Sequence, residues 1–323
     1  MSRAVKIWLI VAASLILVGA IMFGGAMMGI DWDFTKLSTK KYETVSFSPE
    51  GEFKNISVDI TTANLKILPA EGESVQVDCR DASDIKYDVR VTGDTLVIDY
   101  EDTRKWYQHI HLLEIGVEFP EVTVYLPVGE YGDLTVYSST GDVELSREIA
   151  FGNIDIDVGT GDVKSLASAD SVKIETTTGD IFIEGIRVNS LQLSITTGRV
   201  QATDVICQGA IGVEVTSGDV KLKRVSGSSF ESAGGTGDIY MEGLIVSERL
   251  FVKRNAGDVK FDGCDASEIE VRTTTGDIRG SLLSGKMFEA GSTTGDVRVP
   301  SDSEGGRCVA KTTTGKIIFE IKN

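Results

Sequence analysis

An all-β chain, wound as a parallel β-solenoid behind one N-terminal transmembrane helix, is the architecture this sequence predicts. Three observations carry it. A Gly-X-Val/Ile tripeptide, with Asp as X in eight copies, recurs ten times at spacings of 18 to 20 residues, apolar and polar residues alternate around each copy, and residues 7–30 contain no charged side chain. Alternation with period two marks a strand that buries one face. A unit of about 19 residues cannot bury that face alone and does so by stacking on its neighbours.

Composition bounds the function. The chain has 323 residues, 41% of them hydrophobic, which is enough for one or two domains with a sizeable core. Its 49 acidic and 32 basic residues give a net charge of −17. A surface so acidic repels phosphate backbones, so nucleic acid is not an expected partner. Two histidines leave little room for imidazole chemistry, and no phosphate loop, nucleophile elbow or zinc motif is present. No catalytic residue and no cofactor is expected.

The first element is the apolar run. Residues 1–6, with Arg3 and Lys6, read as a cytoplasmic tail, and residues 7–30 as a membrane anchor that places the remainder outside the cytoplasm. A cleaved signal peptide is the competing reading, with Gly24, Gly25 and Ala26 as small residues for a peptidase. Its apolar region would run only about 7 to 15 residues.

Residues 31–132 read as a β-rich cap containing degenerate repeats. Ile60 to Ile67 resembles a worn copy of Ile174 to Ile181, and Val89 to Ile98 reads as two strands around a tight turn. A solenoid needs its ends covered against edge-to-edge growth.

Residues 133–323 are the repeat domain. Gly141, Gly161, Gly179, Gly198, Gly218, Gly237, Gly257, Gly276, Gly295 and Gly315 open the ten tripeptides, and the residue two places later is Val or Ile every time. Arg199 and Lys316 stand where the other eight copies have Asp. Seven residues before each glycine the side chain is always apolar, as in Leu134, Ile211 and Phe288. Antiparallel hairpins with Gly at their tips are the alternative. Stacked coils, unlike hairpins, require one residue type at the same offset in every copy. The final coil, Ile317 to Ile321, is expected to form a bare end.

The aspartate column is the first candidate site. Stacked carboxylates could hold calcium, but Asp after Gly also satisfies backbone in an Asx-type turn, and the basic column two residues on (Lys164, Lys221, Lys260, Arg279, Arg298) offsets the repulsion. We expect a structural role and no metal. Threonine runs such as Thr273 to Thr275 suit strands and are interrupted by charge, against an ice-binding face. The four cysteines are expected to be buried free thiols. His109 and His111 share a strand face, but two ligands make a poor metal site. With Trp106 and Tyr107 they form a candidate contact patch on the cap. Lys260, Arg279 and Arg298 on the outward face, and Ile318 on the last coil, complete the candidate interaction surface.

The repeated Thr-Thr-Gly-Asp-Ile/Val motif, as in Thr176 to Ile181 and Thr273 to Ile278, behind one apolar N-terminal segment, resembles the bacterial adhesin-like family of β-strand-repeat domains. The resemblance covers about residues 40 to 323. It implies a surface-exposed solenoid of no established biochemical function, with LiaG-like members associated with Gram-positive envelope-stress systems, and it supplies no catalytic residues. The expected role is a non-enzymatic, extracytoplasmic interaction module with protein or cell-envelope partners. The alternative is an envelope-stress sensor or scaffold that docks other membrane proteins.

Overall fold

A computed structural model describes residues 3–29, 31–32, 42–82, 85–102, 120–301 and 304–322. The helix Arg3–Gly29 holds the apolar run; its stretch Val5–Gly29 has a mean hydropathy of 2.5 and is long enough to cross a membrane. The rest of the described chain is mostly β and forms a solenoid of about nine turns.

Each coil gives one strand to each of two sheets, joined at a corner by the repeat glycine. Ala210–Ser217, for example, leads through Gly218 into Val220–Gly227. Successive coils pair in parallel and in register, Ile211 beside Leu191 and Phe230, and Val220 beside Val200 and Ile239. Parallel pairing excludes the hairpin alternative. The inward columns fill a dry interior: Ile154, Val172, Leu191, Leu250 and Ile269 are each at most 1% exposed. Stacking thus buries what no single repeat could bury.

The corner explains why glycine recurs. All ten repeat glycines stand at φ between 131° and 149°, a region closed to side chains. A Cβ there would also lie 1.7 to 2.1 Å from the carbonyl oxygen of the corner residue in the coil next to it. Conformation and stacking therefore both demand glycine.

The solenoid begins before the regular repeats. Asn55–Thr62 and Asn64–Pro69 form a full coil, with Ala63 and Asn64 in the glycine and aspartate places, and it stacks directly on the Gly141 coil. The Ile60 to Ile67 stretch is thus a true turn of the stack. Outside it lie Thr95–Asp102 and Glu121–Leu126, and beyond these the pairing becomes antiparallel, through Ile85–Thr92 on one sheet and Gln76–Ala82 with Tyr42–Phe47 on the other. Antiparallel ribbons close this end.

The other end corrects the expectation of a bare last coil. Gly306–Thr314 pairs with Glu268–Thr275 on one side and with Lys286–Thr294 on the other, and Ile317–Ile321 sits likewise between Ile278–Leu282 and Val297–Arg298. The final coil is inserted into the stack, and the coil before it in sequence forms the end. Burial follows position: Ile317 is fully buried, whereas Val297 in the same column is 40% exposed. Phe319 packs between Phe261 and Phe288, with ring centroids 5.4 and 5.5 Å away. Lys286 of the outermost coil is 3% exposed and reaches past the inserted coil to Asp265 at 2.7 Å and Ser284 at 2.6 Å. Gly306, without a side chain, lies beside Lys286 in the register.

Candidate functional site: the outward columns

The aspartate column is built into the backbone. The Asp162 amide donates to Asp142 Oδ1 at 2.8 Å, Asp180 to Asp162 at 2.7 Å, Asp258 to Asp238 at 2.8 Å and Asp277 to Asp258 at 2.8 Å. The bond therefore runs between coils, where an Asx turn within one coil was expected. Asn64 starts the series by accepting from the Asp142 amide at 2.9 Å. Arg199 and Lys316 each donate an amide, to Asp180 and Asp277, but offer no carboxylate onward. The two departures from the repeat are thus breaks in this ladder. Among the described residues no cluster of three or more Asp, Glu, His or Cys is arranged to hold a metal.

Two residues beyond the ladder, register places the predicted cations in single file. Lys221, Tyr240, Lys260, Arg279, Ile318 and Arg298 succeed one another across neighbouring strands. Lys260 Nζ lies 4.9 Å from the Tyr240 ring centroid, a cation–π distance. Arg279 is 3.3 Å from Asp258 and 3.8 Å from Asp277. Because of the coil inversion, Ile318 stands between Arg279 and Arg298 and is 38% exposed on the lateral face, away from the end of the stack. The structure thus joins Lys260, Arg279, Arg298 and Ile318 in one column. Trp106, Tyr107, His109 and His111 lie outside the described residues.

Three features escaped the sequence reading. A second corner column, Gly185, Asp204, Arg224, Gly243 and Gly263, lies at φ between 50° and 68°. Its two non-glycine members form a fork, Arg224 Nε to Asp204 Oδ1 at 2.5 Å and the second guanidinium nitrogen to Oδ2 at 2.7 Å, which holds the Asp204 carboxyl below its usual range. Three glycines spaced by multiples of the repeat were the available signal.

Arg254 occupies an inward position and is 2% exposed. Its guanidinium lies where a Gly234 side chain would stand, and one nitrogen donates to Ser232 Oγ at 3.1 Å. Nε and Nη1 meet no partner among the described residues, and burial lowers its pKa to about 10. The third feature is a groove of about 440 Å³ lined by Phe53, Lys54, Val75, Asp94 and Tyr131, where Tyr131 stacks between Phe53 and Phe151 at 6.2 and 6.0 Å.

All four cysteines are free and buried. Burial pushes the thiols of Cys79 and Cys308 up to about 12 and that of Cys264 to about 11, so none is a thiolate at neutral pH.

Glycine corners, an inter-coil carboxylate ladder and in-register parallel sheets together define a repeat protein of the two-sheet β-solenoid class. The chain belongs to the Toastrack DUF4097 family, whose model matches residues 53–224 and again 208–323. No curated protein matches it. Solved structures similar to it include a candidate lipid-binding protein from Parabacteroides distasonis (13% identity, TM-score 0.44, 85% of this chain and 98% of that one). A candidate adhesin from Bacteroides fragilis (15%, 0.36, 87% and 98%) and another from P. distasonis (9%, 0.43, 88% and 98%) are also similar.

Proposed function

We propose that this chain is a membrane-anchored, extracytoplasmic interaction module with no enzymatic activity, in which residues 1–6 are the cytoplasmic tail, 7–30 the anchor, 31–132 the cap and 133–323 the displayed solenoid. The observation that carries the reading is the exposed file from Lys221 to Arg298, which offers cations, an aromatic ring and an aliphatic side chain at fixed strand spacing on a rigid support. Such a ruled column suits an extended partner that meets several coils at once. The apolar helix, preceded by Arg3 and Lys6, supports anchorage with the solenoid outside.

A photo-crosslinking side chain placed at Lys260 of the full-length chain in cells tests this. Reproducible adducts with a protein or an envelope polymer, lost when Arg279 and Arg298 are changed to Ala, are expected. Adducts no different from those formed at exposed Gln208, in the turn between the two sheets, would overturn the reading. Capture of one defined set of membrane proteins would select the scaffold role; capture of wall polymer would select adhesion.

A further inference from the structure

Charge is distributed very unevenly along the sequence. Residues 42–207 carry 30 acidic and 12 basic side chains, whereas residues 208–323 carry 17 and 15. On the outer face of the sheet that contains Ala210–Ser217, this polarity is drawn out in one column. Counting strands from Ser194 toward the cap, the column reads Glu175, Asp157, Tyr137, Asp59 and Asp99. Counting the other way, it reads Glu214, Ala233, Lys253, Arg272 and Lys311. At three, four and five strands from Ser194, the two directions therefore hold Tyr137 and Lys253, Asp59 and Arg272, and Asp99 and Lys311.

We propose that this face binds a second copy of the chain, antiparallel, about a two-fold axis that runs along the Ser190–Thr197 strand. Such an axis lays each column on the same column reversed. It brings Asp59 onto Arg272, Asp99 onto Lys311 and the Tyr137 ring onto Lys253, each twice, as an isologous interface requires. The adjacent column agrees at its extremes: Arg90 and Glu289 both stand six strands from Gln192, on opposite sides. Glu175 with Glu214 and Asp155 with Glu231 oppose the pairing near the axis, where Lys173, already within 3.7 Å of Asp155 and 3.2 Å of Glu175, offsets them.

The cations involved already have neighbours, Arg272 at 2.6 Å from Glu270 and Lys311 at 2.9 Å from Glu289. Lys311–Glu289, exposed on both sides, is a weak pair that is readily exchanged, whereas Arg272, half exposed itself, bonds the 16%-exposed Glu270 through Nε and can share its guanidinium with a second carboxylate. Thirteen strands at about 4.8 Å give a face roughly 60 Å long, ample for a standard interface. A parallel arrangement would instead set the acidic half against itself. Together with the proposed anchorage, on which this last step rests, antiparallel pairing sends the two N-terminal helices to opposite ends and so joins chains from facing membranes.

The test uses the full-length chain in mild detergent, with mass read by light scattering. The unaltered chain is expected to dimerise and to dissociate as salt is raised. Asp59→Lys with Asp99→Lys, and separately Arg272→Glu with Lys311→Glu, should each weaken self-association by about tenfold or more, and mixing the two variants should restore dimers. Cysteine at position 59 should form a disulfide with cysteine at position 272 of another copy, and neither with itself. A monomeric unaltered chain, or a disulfide between two copies of Asp59→Cys, overturns the inference. With the chain in lipid vesicles, clustering supports trans pairing. Dimers in detergent without vesicle clustering would overturn the joining of facing membranes and leave the dimer standing.

Discussion

The middle coils and the last two coils of the stack share one repeat and obey different rules. From Gly161 to Gly276 sequence order and stacking order coincide, every corner glycine touches the corner before it, and the column containing Val220 and Val259 is at most 1% exposed. Beyond Gly276 the order inverts. The outermost coil keeps the glycine corner, but Val297 is 40% exposed and its second-sheet strand is only Val297–Arg298, followed closely by Pro300. Short edge strands and proline blunt an edge against further pairing. The C-terminal strand lies sandwiched between coils, so it is protected from fraying. Each coil between two others is held by stacking on both sides, and an end coil needs added fastenings.

The largest expected contrast is at glycine. In Gly218→Ala the new Cβ would meet the Gly198 carbonyl oxygen at 1.7 Å on a backbone at φ 144°. With clash and strain together, a loss of about 4 kcal/mol or more is expected. Gly291→Ala, on the outermost coil, meets nothing within 4 Å at ordinary φ and should change stability by no more than about 0.5 kcal/mol. Urea unfolding of the two variants checks this. Equal losses would mean that corner stacking is not what fixes the glycines.

Next in size is the fastening of the end coil. Lys286→Met removes the bonds to Asp265 and Ser284 and leaves Asp265, whose side chain is 25% exposed, without its cation. About 1 to 3 kcal/mol should be lost, and the loss should be local. Amide exchange should accelerate across 286–298 while 210–236 keeps its protection. Uniform acceleration would place Lys286 in the global cooperative unit.

The same contrast explains what was legible in the sequence. Where each coil meets its sequence neighbours, period and offset fixed the strands, the inward columns and the corners, and they placed Lys260, Arg279 and Arg298 in one file. The inversion had no local signal. Ser292-Thr293-Thr294-Gly295 and Thr312-Thr313-Thr314-Gly315 are nearly the same corner, and only contacts between coils decide which goes inside. Phe319 completes an aromatic cluster there, Arg307 bridges Glu268 and Glu289, and Lys311 also pairs with Glu289. In sequence order Glu289 would stack beside Glu270; in the observed order Val309 separates them. The charge polarity of the lateral face was hidden for the same reason, since Asp59, Asp99 and Lys311 come from coils whose places are set by tertiary pairing.

The smallest expected effect tests whether those charges hold the inverted order. Hydrogen bonds from Lys311 and Arg307 lower the Glu289 pKa from 4.5 to about 2. A carboxyl depressed on folding adds stability above its ordinary value and loses it as pH falls through the folded value. The contribution therefore fades between about pH 4.5 and 2. Since Glu289 is exposed, the effect should be small and confined to its own coil. Between pH 5 and 2, amide exchange in 286–294 should rise ahead of that in 229–236, and Glu289→Gln should remove the pH dependence of that lead. If the lead persists unchanged in Glu289→Gln, packing of Phe319 against Phe288 and Phe261, rather than charge, holds the last coil inside.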